Sequence, residues 1–442
     1  MDLGKYAVDK ALKLGMTEAE AYIDKTTQID VQFSSEIQSY KTSESTGLGL
    51  RVAKGKQIGL HATAILNKLE IDNVVAKAIN IVKATPEDPN WNGFNPKFGS
   101  ALVEGIFDSE IINLEYSKII DKIISGINKV SENERKVIPT EGNLTITIKD
   151  ISVTNSYHDT VNMQGSTILA GISTKAVEGG DSTGSEFEFT KSWKNLDMEK
   201  IADVAAEQAL AHVGAKQIET IKLPVIIKNK IAANIIGIML INNINSESIQ
   251  KGRSIFADKK GTQVASEEIT ITDNGLLKSG IRSRPFDDEG HKVQKLPIIE
   301  KGILKNFIYD HYRAKKEKVE STGNARRPYF NSPTPQINNL ILKVGEEKLE
   351  EMIKDTKRGL LVEQTIGEWL SNSTSGELNA TITHGTLIEN GELTKPVNNI
   401  ILAGNFFDII KNKIEIIGKD ISNDGFVYSP SLKIAELTLA GK

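Results

Sequence analysis

Apolar positions spaced three and four apart open the chain: Leu3, Tyr6, Ala7, Ala11 and Leu14 form one helical stripe. Residues 19–23 and 29–33 then alternate with period two, as half-buried strands do. Residues 48–52 and 58–64 read as a hairpin turning at Gly55. Helical spacing returns over 72–84 and again over 113–130, where Asn113 is placed as the cap. Three further strands follow, at 144–148, 161–177 and 187–189, and a helix over 197–212 closes this half. Leu223-Pro224 marks the break. Beyond it come a short strand at 225–227 and a helix over 231–243 that is apolar on most of its circumference. The remainder is mainly β, with turns at Asp273-Asn-Gly275, Glu300-Lys-Gly302 and Asn390-Gly391, and one helix over 346–356 stopped by Gly359. The pattern predicts an α+β protein. A mixed α/β domain (1–222) precedes a β-rich domain (223–442), barrel-like or a rolled antiparallel sheet.

Composition narrows the chemistry. The 442 residues carry 54 Lys+Arg against 58 Asp+Glu, a net charge of −4, so there is no global electrostatic reason to bind nucleic acid or an anionic membrane. The chain has no Cys, which removes disulfides, thiolate zinc sites, iron–sulfur clusters and a thiol nucleophile. The most apolar run, 231–241, is about half a membrane span and contains Asn234. The N-terminus lacks the basic start and apolar core of a secretory signal, so a cytoplasmic location is expected.

The six His are His61, His158, His212, His291, His311 and His384. None is followed by Glu and none has a His four residues away, so the zinc-protease helix motif is absent. Gly47-Leu-Gly49 fits a β-hairpin better than a dinucleotide loop. Gly179 to Gly184 has Walker-like spacing, but Ser185 stands where the Lys belongs. A loop holding Trp91, Phe94 and Phe98 between Pro86 and Pro96 is expected to pack onto the domain surface. Two segments stand out. Arg284-Pro-Phe-Asp-Asp-Glu-Gly-His291 gathers three carboxylates, an arginine and a histidine that suit cation binding or acid–base work, against the simpler reading of an exposed turn with solvated acids. Ser321-Thr-Gly-Asn-Ala-Arg-Arg327 could offer backbone donors to a peptide or anion, and the basic run at 313–318 reads as a solvated helix face.

These segments, taken with Gly302-Ile-Leu304, Arg358-Gly-Leu-Leu-Val362, Ser375-Gly-Glu377, Ile388-Glu-Asn-Gly-Glu392, Ala403-Gly-Asn405 and Pro430-Ser431, resemble the TldD/PmbA family, long labelled modulators of DNA gyrase and related to metallopeptidases. In that family a His-Glu-x-x-x-His motif lies on the helix opening the C-terminal domain, and a Cys ligand lies near the C-terminus. Here the helix reads Ile231-Ala-Ala-Asn-Ile-Ile-Gly-Ile-Met-Leu-Ile241 and the late segment Asp424-Gly-Phe-Val-Tyr-Ser429, so no metal ligand and no catalytic residue carries over. The resemblance therefore implies the PmbA (TldE) branch: a subunit with no cofactor of its own, partnered by a TldD-like subunit that holds zinc and cleaves unfolded peptides. A homodimer built from the same surfaces is the alternative form for the chain in isolation, and the sequence leaves homo- and heterodimer open. Arg284, Phe286, Asp287, Asp288, Glu289, Thr322, Gly323 and Asn324 are the positions expected to face partner or peptide. The alternatives are a regulatory protein acting on DNA gyrase and a stand-alone hydrolase using Asp287, Asp288, Glu289 and His291.

Overall fold

A computed structural model describes residues 2–132, 137–157, 160–177 and 180–442; His158 and Gly179 lie outside them. The first half is built on one antiparallel sheet of six strands: β1 (Glu18–Phe33), β2 (Ile37–Lys54), β3 (Gln57–Thr63), β4 (Val137–Asn155), β5 (Thr160–Ala176) and β6 (Ser182–Thr190), in the order β3-β2-β1-β4-β5-β6. The two strand pieces expected at 19–23 and 29–33 are one 16-residue strand. Helices cover one face. α1 (Leu3–Lys13) and α2 (Lys68–Ala84) bury Ala7, Val8, Val74 and Ala78 against Ala19, Ala21, Leu48, Leu50 and Val52. α3 (Tyr116–Ser131) and α4 (Met198–Ala211) bury Ile119, Ile123, Ala202 and Ala205 against Leu144, Ile146 and Ile168.

The side-chain period of two decides what the opposite face shows. If Ala19 and Ala21 face the helices, Glu20 and Tyr22 face away. Register then sets Glu20 opposite Arg51 and Asn155, and Tyr22 opposite Gly49 and Val153. This second face is also buried, because the C-terminal half packs on it. A Cβ at Gly49 would run into the Tyr329 carbonyl oxygen, and one at Gly47 into the Tyr329 ring. The two glycines therefore admit the 328–330 segment.

In the second half a five-stranded barrel forms from Ile221–Ile227, Leu432–Ala440, Ile400–Asn405, Glu377–Glu389 and Arg358–Ile366. It closes because Arg358–Ile366 pairs antiparallel with Glu377–Glu389 and parallel with Ile221–Ile227. The opening strand begins two residues before Leu223-Pro224. α5 (Asn229–Leu240) follows it directly. A second, six-stranded sheet carries Ile271–Asn274, Lys295–Glu300 and Leu340–Leu342 beside the barrel, and the two share one apolar core. Lys301-Gly302 and Asn390-Gly391 make tight hairpin turns, each pair with positive φ as such turns require.

Several helix boundaries differ from the pattern: α2 starts four residues before the expected 72, capped by Asn67, and α5 spans 229–240 where 231–243 is expected. Leu114 and Glu115 are extended, so Ser109–Asn113 is a separate 3₁₀ turn capped by Asp108, and Asn113 caps nothing. The helix expected at 346–356 is only Leu349–Lys354, because Gly345 and Glu347 bond to the 418–419 backbone instead. The aromatic loop packs as expected: Trp91 and Phe94 are buried against Ala53, with Tyr312 alongside. No described helix is long and apolar enough to cross a membrane.

Candidate functional site

The loop 284–291 is a tight reversal. Asp287 N–H donates to the His291 carbonyl (2.8 Å), and Gly290 N–H donates to the Asp287 carbonyl (2.9 Å). Gly290 has φ +75° and lies where a Cβ would meet the Phe98 ring, so the turn requires glycine. The acids are not solvated. Asp287, Asp288 and Glu289 are each 3% exposed or less, because the loop inserts between the N-terminal sheet and the C-terminal domain. The exposed-turn expectation fails for this reason. Phe286, fully buried, anchors the insertion among Tyr22, Ile151 and Val153.

Three consecutive carboxylates diverge to three sets of partners. Asp287 turns back on the loop: Oδ1 accepts from the Glu289 and His291 N–H groups, and Oδ2 from Ala325 N–H (3.0 Å). Asp288 bonds Arg284 through Oδ1 and Arg327 N–H through Oδ2 (2.8 Å). Glu289 takes Arg51 on Oε1 (3.0 Å) and His311 N–H on Oε2 (2.7 Å). Every carboxylate oxygen of the triplet is thus engaged within the protein.

The second segment closes the same seam. Thr322 Oγ1 donates to Asn324 Oδ1 (2.6 Å) and accepts from Tyr309 N–H (2.7 Å). Asn324 Nδ2 donates to Asp273 Oδ2 (2.6 Å) and to the Gln336 carbonyl (2.9 Å). Gly323, at φ +74°, leaves no room for a Cβ beside the Lys292 carbonyl. The eight predicted positions therefore fall in one buried network, with Thr322 the most exposed side chain at 8%.

Sequence reasoning passed over half of that network. Glu20, fully buried, accepts from Arg51 Nε (3.1 Å), Arg51 Nη2 (2.8 Å) and Arg327 Nη2, all on Oε1. Asp310 caps the short helix His311–Glu317. Buried Asp273, read as a turn residue, is a strand residue bonding Asn324 and Asn338. The partners lie up to 307 residues apart, and only the alternation of β1 and β2 could have pointed to Glu20 and Arg51.

Burial and charge divide the acids. Burial, then the Glu289 charge, pushes Asp287 up to about 7 against three N–H donors that favour its ionised form. The same two causes raise Asp310 to about 7. Burial opposes ionisation of Glu289 too, but Arg51 and His311 outweigh it and hold Glu289 at about 2. His291 Nε2 and His311 Nδ1 are hydrogen-bonded at 2.8 Å, and burial lowers His311 to about 4.

The metal question turns on α5 and the 424–429 segment. They do meet: Asn234 Nδ2 donates to Asp424 Oδ2 (2.6 Å), beside a cavity of about 330 Å³ lined also by Lys230, Glu363, Glu368 and Trp369. The donors are unsuited to zinc. What meets is an amide and a carboxylate, with the Lys230 ammonium one turn away on Glu186 and the Phe187 carbonyl (2.6 Å). A zinc site needs three or more imidazole, thiolate or carboxylate donors together; among the described residues no such group gathers, and an ammonium repels the ion.

One serine spacing also needs placing. Gly180-Asp-Ser-Thr-Gly184 has the nucleophile-elbow pattern, but Ser182 opens β6 and runs on as strand, not from strand into helix.

A family model for the PmbA/TldA metallopeptidase C-terminal domain matches residues 220–441, and one for domain 1 of the same metallopeptidases matches residues 19–82. Metalloprotease PmbA of Escherichia coli O157:H7 is 24% identical, over 99% of this chain and 96% of its own length. An uncharacterized protein of Methanocaldococcus jannaschii is 27% identical, over 96% of this chain and 98% of its own. The crystal structure of TldE from Thermococcus kodakarensis superposes with a TM-score of 0.92 at 22% identity, covering 99% of this chain and 100% of that one, and so shares the fold.

Proposed function

The chain belongs to the PmbA/TldA metallopeptidase family, and from that premise we propose that it is the metal-free, TldE-type subunit of a two-component peptidase. In this reading a TldD-like partner supplies zinc and the hydrolytic step. This chain completes the cavity and presents unfolded peptide to it. The carrying observation is the α5 contact: the helix and the late segment come together as a metal site needs, but offer Asn234 and Asp424. The adjoining cavity supports a peptide-handling role, since Trp369 in its lining is 66% exposed. The strand Arg358–Ile366 runs into that cavity with residues 363–365, which lie past its pairing with Ile221–Ile227 and have a strand neighbour on one side only, leaving backbone groups for sequence-tolerant pairing.

The test is reconstitution. The purified chain should carry no stoichiometric zinc by elemental analysis and leave an unfolded peptide intact. Hydrolysis should appear when a His-Glu-x-x-x-His homologue is added and vanish with chelator. Chelator-sensitive hydrolysis by this chain alone would overturn the proposal.

A further inference from the structure

On the sheet face that meets the C-terminal domain lies a second cavity, of about 350 Å³. Its charged lining is Lys149, Lys191, Arg282, Arg284, Arg326 and Arg327 against one acid, Asp288. Six cations around one cavity is a local excess opposite in sign to the chain's net charge of −4. Internal pairing does not remove it. Arg284 is held by Asp288, Arg327 by Glu20 and Lys149 by Asp24 (3.3 Å). Among the described residues, Lys191, Arg282 and Arg326 form no ion pair: Lys191 Nζ donates to Thr167 Oγ1 (3.1 Å), Arg282 Nη1 to the Ile337 carbonyl (3.3 Å), and Arg326 Nη2 to the Arg282 carbonyl and Asn338. The Nε atoms of Arg284, Arg326 and Arg327 are buried without a hydrogen-bond partner.

An unpaired buried ammonium is costly, and a fold keeps one where something else completes it. The strain registers in the proton affinities. Burial, then Arg326 and Arg284, lowers Lys191 to about 7, and burial with Arg284 and Arg282 lowers Arg326 to about 9. The cavity opens past Lys149 and Pro328, which are exposed, and its remaining wall mixes apolar Ile151, Met163 and Ile281 with the hydroxyl and amide groups of Thr147, Thr167, Ser283 and Gln336. Planar guanidinium groups beside an ammonium match a two- or three-oxygen anion.

We propose that this cavity is an oxyanion-binding site, taking a carboxylate or phosphate group against Lys191, Arg282 and Arg326. The two sources of that chemistry, a peptide's terminal carboxylate and free phosphate, are separated by the probe. The full chain is titrated calorimetrically, at constant ionic strength with chloride as the balancing salt, with inorganic phosphate, with an acetylated tetrapeptide bearing a free C-terminus, and with its amide. Saturable binding of phosphate or of the free-carboxylate peptide, with the amide silent, supports the site and names the source. Arg282→Gln and Lys191→Met should each weaken that binding about tenfold or more, the loss of one charge-assisted contact. Lys191→Met should also raise the melting temperature without probe, since it removes an uncompensated ammonium. If Lys191→Met fails to fold, the exposed Lys149→Gln still has to weaken binding measurably. No binding above chloride by either anionic probe, or equal binding by the folded variants, overturns the proposal. The measurement uses this chain alone, so its outcome is independent of whether a metal-bearing partner exists.

Discussion

Replacing Glu20 by Ala tests whether the buried ionic seam joins the two halves of the chain. The side chain is fully buried, and its Oε1 receives Arg51 from the neighbouring strand and Arg327 from the C-terminal domain. Around it three carboxylates (Glu20, Asp288, Glu289) meet three guanidinium groups (Arg51, Arg284, Arg327), so removing one acid leaves one buried positive charge. Arg51 keeps Glu289, but Arg327 retains only the Asp288 carbonyl and the Tyr22 ring. Breaking a buried pair by deleting one partner costs about 3–5 kcal/mol, most of it the charge left behind. For a domain of this size the melting temperature should fall by roughly 10 °C. Calorimetry on the full chain reads that fall. A cycle with Arg327→Met isolates the pair, because the double variant should be less damaged than the sum of the singles by about 2 kcal/mol. A Glu20→Ala chain that melts within a degree or two of the parent, or singles that simply add, would refute the reasoning.

Other consequences follow from the same contacts. Gly49→Ala drives a Cβ into the Tyr329 backbone and should cost about 3 kcal/mol by thermal melting, while Gly55→Ala, whose Cβ would meet nothing, should lose only the turn preference, about 1 kcal/mol. His311 titrates near 4 in the folded chain and at its ordinary 6.5 when unfolded, so the unfolded state takes up a proton between those values and the folded state does not. That contribution is complete above pH 6.5 and is lost as pH falls to 4. Denaturant unfolding of the parent should therefore steepen over this window relative to His311→Gln, by at most about 3 kcal/mol in total; parallel curves would dismiss it.

How much was legible depended on how local the cause was. Asn390-Gly391 and Lys301-Gly302 announced their hairpins because the residues at positive φ are themselves the signal. The alternation of helices and strands in the first half and the β-rich second half followed from period. Asn113 fails as a cap because it closes the Ser109–Asn113 turn, and Leu114 and Glu115 run extended before the helix starts at Tyr116. The solvated reading of the acidic triplet fails because charge argues for the surface unless paired, and the arginine that meets Glu289, Arg51, sits 238 residues away. The same applies to Asp273, whose Asn-Gly neighbours imitate a turn.

The divergence of Asp287, Asp288 and Glu289 bears on what the motif does. A cluster that performs chemistry converges on a shared point, whereas Asp287 points chiefly to loop backbone, Asp288 to Arg284 and the Arg327 N–H, and Glu289 to Arg51 on β2. Each therefore fixes a different element at one junction: the turn itself, the second motif, and the N-terminal sheet. The residues also stand beside the cationic cavity, with Asp288 in its wall and Arg284 and Arg327 shared between seam and lining. Deleting an acid from the seam would thus release a cation toward the cavity. Stability and anion binding should move in opposite directions in such a variant, which separates a junction that merely holds the fold from one that also sets the charge of the cavity beside it.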